Sequence, residues 1–188
     1  MAVQAASKTI ETLLTGEDLA AMGDIGPSEL LEGRLVYMSP TLPKHGKLEY
    51  RFAAALGEAV EGSKSGEIQV GEVGIYTRRN PDTVRGADVL FISHERLARA
   101  TPGRFLDVAP EIVVEILSSD DRWSEVRKKL LDYFEVGVIV VLVVDAEGQT
   151  IIAYRSPSDV HEYSGDDVLM LEDLLPGFRL RAADLFAD

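Results

Sequence analysis

Residues 110–133 read P-E-I-V-V-E-I-L-S-S-D-D-R-W-S-E-V-R-K-K-L-L-D-Y, and no other stretch restricts the fold as much. Its first half is a run of Ile112, Val113, Val114, Ile116 and Leu117, the composition of a strand covered on both faces. Glu115 interrupts that run, and a lone carboxylate there is costly unless it is paired or holds a cation. The second half has helical period: Trp123, Val126, Leu130, Tyr133 and Phe134 share one stripe, with Arg127 and Lys129 beside it and Lys128 pointing away. A further apolar run at 138–145 follows, so the helix reads as the crossover between two parallel strands.

Asp88 repeats the anomaly, because Val89, Leu90, Phe91 and Ile92 continue directly behind it as another apolar strand. Two strands each carry an acid, and a helix carrying Lys129 packs on them. An acid, an acid and a lysine can therefore converge.

The remaining pattern supplies the layers around these strands. Thr15 caps a short helix with acids in its first turn. Residues 29–39 alternate around Glu32-Gly33 as an N-terminal hairpin. Leu48, Phe52, Ala55, Leu56, Ala59 and Val60 place one amphipathic helix over 44–61. Strand chemistry returns at 67–79, where Gly71 and Gly74 flank Glu72; glycines in a strand permit a bulge or a close backbone approach, both frequent beside sites. Residues 94–100 form a short helix or turn, 149–155 a strand, 160–163 an edge strand and 182–186 a terminal helical turn. Residues 1–14 read as a flexible arm, and 15–188 as one domain of the α/β class with a mixed central sheet flanked by helices.

Composition excludes several functions. No cysteine is present, which removes disulfides and thiolate chemistry. No apolar run approaches a membrane span and no signal segment opens the chain, so the expected location is the cytoplasm. His45, His94 and His161 lack zinc-site spacing, Ser118 and Ser119 lack a nucleophile-elbow context, and the glycines form no nucleotide fingerprint. The formal net charge of -13 argues against a broad phosphate-binding surface. Arg78, Arg79, Arg85, Arg122, Arg127, Lys128 and Lys129 are the bases that could form a local patch.

Asp in one strand, Glu in the next and a nearby lysine resemble the PD-(D/E)XK nuclease superfamily. The ordered pieces Glu29-Leu30-Leu31-Glu32-Gly33, Ser39-Pro40, His45, Gly71-Glu72-Val73-Gly74, Ala87-Asp88-Val89, the strand around Glu115, Lys129 with Tyr133, Gly137-Val138, Val144-Asp145 and Leu175-Pro176-Gly177-Phe178 resemble, over roughly residues 28 to 186, its bacterial "putative restriction endonuclease" family. Three positions depart from the family pattern. The usual Arg-Pro-Asp is Arg85-Gly86-Ala87-Asp88, the lysine of E-x-K is Leu117, and the usual Tyr-Trp pair is Val141-Leu142. The second departure moves the basic role to Lys129.

The resemblance implies a restriction-endonuclease-like fold and a metal-dependent hydrolysis of DNA. Asp88 and Glu115 would bind Mg2+ or Mn2+, which suit hard oxygen donors, and Lys129 would assist the attacking water. Glu29 and Glu72 are further metal-ligand candidates, with His45 and Tyr133 as accessory residues. A homodimer is expected, because a duplex offers two antiparallel strands to cut. The competing expectation is a catalytically silent nuclease-fold module for binding or scaffolding, its acids held by Arg127 and Lys129 as a buried ion network.

Overall fold

The computed structural model describes residues 12–103, 105–118 and 121–187. Most of the expected arm therefore falls outside the described residues. At its end, the Leu14 N–H already donates to the Gly33 carbonyl at 2.8 Å.

Helix α1 (Gly16–Ala21) starts where Thr15 and Asp18 form a reciprocal capping box. Strands β1 (Ser28–Leu31) and β2 (Arg34–Tyr37) then form the hairpin around Glu32-Gly33, both of which take positive φ. Helix α2 (Pro43–Ser63) begins on a proline, which suits the first helical position. Strands β3 (Gly66–Arg78) and β4 (Thr83–Ser93) form a long antiparallel pair, followed by the short helix α3 (His94–Leu97). Strand β5 (Ile112–Leu117) and strand β6 (Val140–Asp145) run parallel, joined through helix α4 (Trp123–Val136). Gly137 caps α4 in the left-handed conformation. Strands β7 (Thr150–Tyr154) and β8 (Val160–Ser164) complete a sheet of order β2-β1-β4-β5-β6-β7-β8, with β3 on the other edge of β4.

Each sheet face has its own core. One is filled by Leu48, Phe52, Leu56 and Val60 of α2 against Val89, Phe91, Val114 and Leu142, and is extended by the C-terminal segment. There β9 (Val168–Met170) and β10 (Arg179–Arg181) make a separate two-stranded sheet before helix α5 (Ala182–Phe186). This small sheet was not expected, because each strand has only three residues and buries little beyond Leu169 or Leu180. The other face receives Leu130 and Tyr133 of α4 against Leu90, Val113, Val141 and Val143. Trp123 departs from the expected stripe: it is 53% exposed. It is the first residue of α4, one turn before the helix is seated on the sheet.

Strand pairing is interrupted around Asp88. The β4–β5 ladder ends at Val89↔Val114, one step before Asp88 and Glu115 would pair. On the other side of β4, Val70 pairs Val89 and Val73 pairs Ala87, so Gly71 and Glu72 together stand opposite Asp88 as a bulge. Regular pairing thus fails on both sides of the same residue.

Candidate active site

Asp88 occupies that opening. Its Oδ2 accepts the Ile116 N–H at 2.6 Å, replacing the strand partner that the ended ladder would have offered. Its Oδ1 lies 3.1 Å from His45 Nε2, which reaches down from the first turns of α2. The Asp88 hydrogen bond raises the His45 pKa above its ordinary value, against the effect of burial. Glu49, one helical turn further along α2, accepts a backbone hydrogen bond from Gly71 of the bulge, and burial raises its carboxyl.

Glu115 faces α4. Tyr133 donates its hydroxyl to Oε1 at 2.7 Å and Lys129 donates to Oε2 at 2.6 Å. The Tyr133 oxygen is also 3.1 Å from the Gly86 carbonyl, which ties α4 to β4. Burial pushes the Glu115 carboxyl up to about 8; Lys129 pulls against that and Asp88 adds to it. For Lys129, burial favours the neutral amine but is outweighed by Glu115, Glu29 and Asp88, which hold the ammonium charged well above its usual range. These acids favour the cationic form of Lys129.

Glu29 comes from β1. Its Oε2 accepts from Arg85 at 2.8 Å, and its Oε1 accepts from the Gly86 N–H at 3.0 Å and lies 3.3 Å from Lys129 Nζ. Burial works to raise its carboxyl, and Lys129 and Arg85 reverse the sign. Glu72 differs from all of these. Its Oε2 is buried and has no hydrogen-bond partner. Burial pushes its carboxyl up to about 7, with Lys129 opposing and Asp88 and Glu29 reinforcing.

All seven residues expected at the site therefore lie in one electrostatically coupled group. Two acids that the sequence did not single out, Asp132 and Glu49, join them, as does Arg85, expected in the basic patch. Arg85 bridges Glu29 to Asp132 of α4, with Nη2–Oδ2 at 2.7 Å, and takes the place in the acid network that was expected of Arg127, which is exposed on α4. The signal for Arg85 was available, since it too is a charge inside an apolar strand. For Asp132 and Glu49 no sequence signal marks them out from other helical acids.

The expected basic patch is largely neutralised. Arg78 pairs with Glu32, Asp132 and Glu135, Arg79 with Glu17 and Asp82, and Lys128 with Glu125. Among the described residues, no group of three or more His, Cys, Asp and Glu side chains forms a ready-made metal cage. The donor chemistry still fits a hard divalent cation of the kind bound through one or two carboxylates with waters retained. Each oxygen of Asp88 and of Glu115 takes a single protein donor, which leaves lone pairs free, and the Glu72 oxygen has none.

With this geometry in view, the comparisons with known proteins are specific. The Uma2 family model, described as "Putative restriction endonuclease", matches residues 17–183. Among solved structures, a "putative nuclease belonging to DUF820" from Anabaena variabilis is similar with a TM-score of 0.74 at 20% identity, over 85% of this chain and 89% of that one. That likeness is one of fold, and the fold is restriction-endonuclease-like. No curated protein matches the chain.

Proposed function

The chain belongs to the Uma2 "Putative restriction endonuclease" family, and on that premise we propose that it hydrolyses phosphodiester bonds of DNA with a divalent cation, Mg2+ or Mn2+, held by Asp88 and Glu115. The observation that supports this best is the pairing of two buried carboxylates where the β4–β5 ladder ends with an ammonium 2.6 Å from one of them. A cation bound there supplies a lowered pKa for water and neutralises charge on the scissile phosphate.

The chain's own residues do the rest. Tyr133 holds Glu115 and His45 holds Asp88, so both carboxylates keep one orientation. Lys129, charged and anchored between Glu115 and Glu29, stabilises the negative charge that builds on the phosphate oxygens as water attacks phosphorus and the ester P–O bond breaks. Glu29 and Arg85 position Lys129 from below. In this reading the protein acts in the cytoplasm as a homodimer, one subunit for each strand of a duplex.

Two observations favour the second reading, a silent nuclease-fold binding module: every oxygen of Asp88 and Glu115 already has a protein donor, and most bases of the expected patch are paired with acids. One experiment separates the two. Wild-type protein, Asp88→Asn and Glu115→Gln are incubated with supercoiled, linear and single-stranded DNA, in millimolar Mn2+ or in chelator. Nicking or cutting by wild type alone, and only with metal, is the expected result. No cleavage of any substrate by wild type, or cleavage by Asp88→Asn at the wild-type rate, overturns the nuclease reading.

A further inference from the structure

The strand gap beside Asp88 has an apolar rim. On the edge of β4 away from β3, β1 pairs only at Leu30↔Val84 and β5 pairs only from Val89↔Val114 onward. Among the described residues, 85–88 have no strand partner on that edge, and Glu29, Asp88 and Glu115 come to this gap from three different strands. Three side chains stand around it. Tyr37 is the cross-strand partner of Ser28, the neighbour of Glu29. Leu42 is the N-cap of α2, one turn before His45, which touches Asp88. Trp123 begins α4, about 9 Å along the helix axis from Lys129. Tyr37 is 66% exposed, Leu42 60% and Trp123 53%, three of the four most exposed large hydrophobic side chains among the described residues. Single exposed apolar residues are ordinary, but several around one site mark a contact surface.

Charge narrows what that surface contacts. A duplex presents one phosphate charge per about 1.7 Å of its axis and is held mainly by Lys and Arg. Here Arg78, Arg79, Arg85 and Lys129 are all paired with acids, and Glu49 and Glu72 add negative charge near His45. Arg122, next to Trp123, is exposed and can meet a phosphate. A rim short of cations but supplied with aromatic rings suits unpaired bases, because each base has a face to stack on and a paired duplex keeps those faces covered. We propose that the substrate enters this site as unpaired nucleic acid, with bases near the scissile phosphate stacked on Trp123 and Tyr37. The inference rests on the phosphodiester reading above and names its substrate class: a single strand, or a locally melted duplex whose separated strands go one to each subunit.

Trp123 is the only tryptophan in the chain, so its emission reports stacking directly. A labelled single strand and the blunt duplex of the same sequence are titrated with wild type, Trp123→Ala, Trp123→Phe, Tyr37→Ala and Tyr37→Phe, in chelator and in millimolar Mn2+. Anisotropy reads binding and tryptophan emission reads stacking. Wild type is expected to bind the single strand more tightly than the duplex, with Trp123 quenched by the single strand. Each Ala variant should bind the single strand about tenfold more weakly, and each Phe variant, which keeps a ring, close to wild type. Both side chains are more than half exposed, so all four variants should melt at the wild-type midpoint. Equal or tighter binding of the duplex overturns this proposal, and so does single-strand binding that leaves Trp123 emission and the Ala variants unchanged; metal-dependent cutting of duplex DNA would still stand. Emission that shifts with protein concentration alone would give the surface to a second copy and overturns it too. No binding and no cleavage of any nucleic acid overturns both readings.

Discussion

Replacing Glu115 by Gln keeps the volume of the side chain and an acceptor for Tyr133 while removing an ionisable group from a buried position. The folded carboxyl titrates near 8 against an ordinary 4.5. A raised carboxyl stabilises the fold fully below the ordinary value, and that contribution is lost as pH rises towards the folded value. At pH 7 the unfolded chain has ionised and the folded one largely has not, which at 1.36 kcal/mol per unit above 4.5 costs wild type about 3 kcal/mol. Gln removes that term. It also loses the charge-assisted bond from Lys129, worth roughly 1.5–3 kcal/mol, although Lys129 keeps Glu29 at 3.3 Å. The net expectation is a change of about 0 to +2 kcal/mol, or a midpoint in chelator between unchanged and several degrees higher. The assay is a set of melts in chelator from about pH 5 to about pH 8. The Glu115→Gln midpoint should rise relative to wild type as pH increases across that window. Melts in millimolar Mn2+ complete it: wild type should gain several degrees, as binding to the folded state alone requires, and the variant should gain nothing. A variant that melts ten degrees or so lower at neutral pH, the roughly 3–5 kcal/mol of a broken buried ion pair, while still responding to Mn2+, refutes the reasoning.

Lys129→Met should retain Mn2+ binding but lose about 10²–10³ in single-turnover cleavage; equal losses of both would make Lys129 a structural residue instead. Arg85→Met leaves the carboxylates of Glu29 and Asp132 without their guanidinium, both side chains being at least 85% buried. It should cost about 3–5 kcal/mol, read as a midpoint lower by roughly ten degrees, and an unchanged melt would show that the bridge carries no weight. In Gly86→Ala the new Cβ meets the end of the Glu72 side chain, so stability should drop by only about 1–3 kcal/mol, read as a lower midpoint in chelator; a collapse of the fold would place the conflict in the backbone.

How much of this was legible beforehand depends on whether the physics is local. The β5–α4–β6 unit could be read directly, because an apolar run, a 3.6-residue stripe and a second apolar run each announce themselves within a few residues. Asp88 and Glu115 were legible for the same reason: a charge in an apolar strand is an anomaly visible without knowing any partner. Arg85 carries the same mark, although the sequence reading places it as one base of a local patch. The β9–β10 pair was illegible, since three-residue strands have no period to detect. Trp123 shows the limit of a helical wheel, which gives the direction of a side chain but not where along the helix the sheet begins.

Sequence alone marked Asp88 and Glu115 as buried charges, because their apolar neighbours along the chain make strands covered on both faces; Glu29 and Asp82 are buried as well and carry no such mark. Tertiary structure decided how those charges are matched. The Arg85–Glu29 bond joins residues 56 apart, His45 meets Asp88 from 43 away, and Lys129 leans on two acids from different strands. It also decided that the ladder between β4 and β5 would end beside Asp88 and that β3 would bulge opposite it. Pairing energies act only over a few ångströms once the strands are stacked. Which carboxylate oxygen receives a donor, and which, like Glu72 Oε2, receives none, is therefore settled by packing across the sheet, which no local pattern encodes.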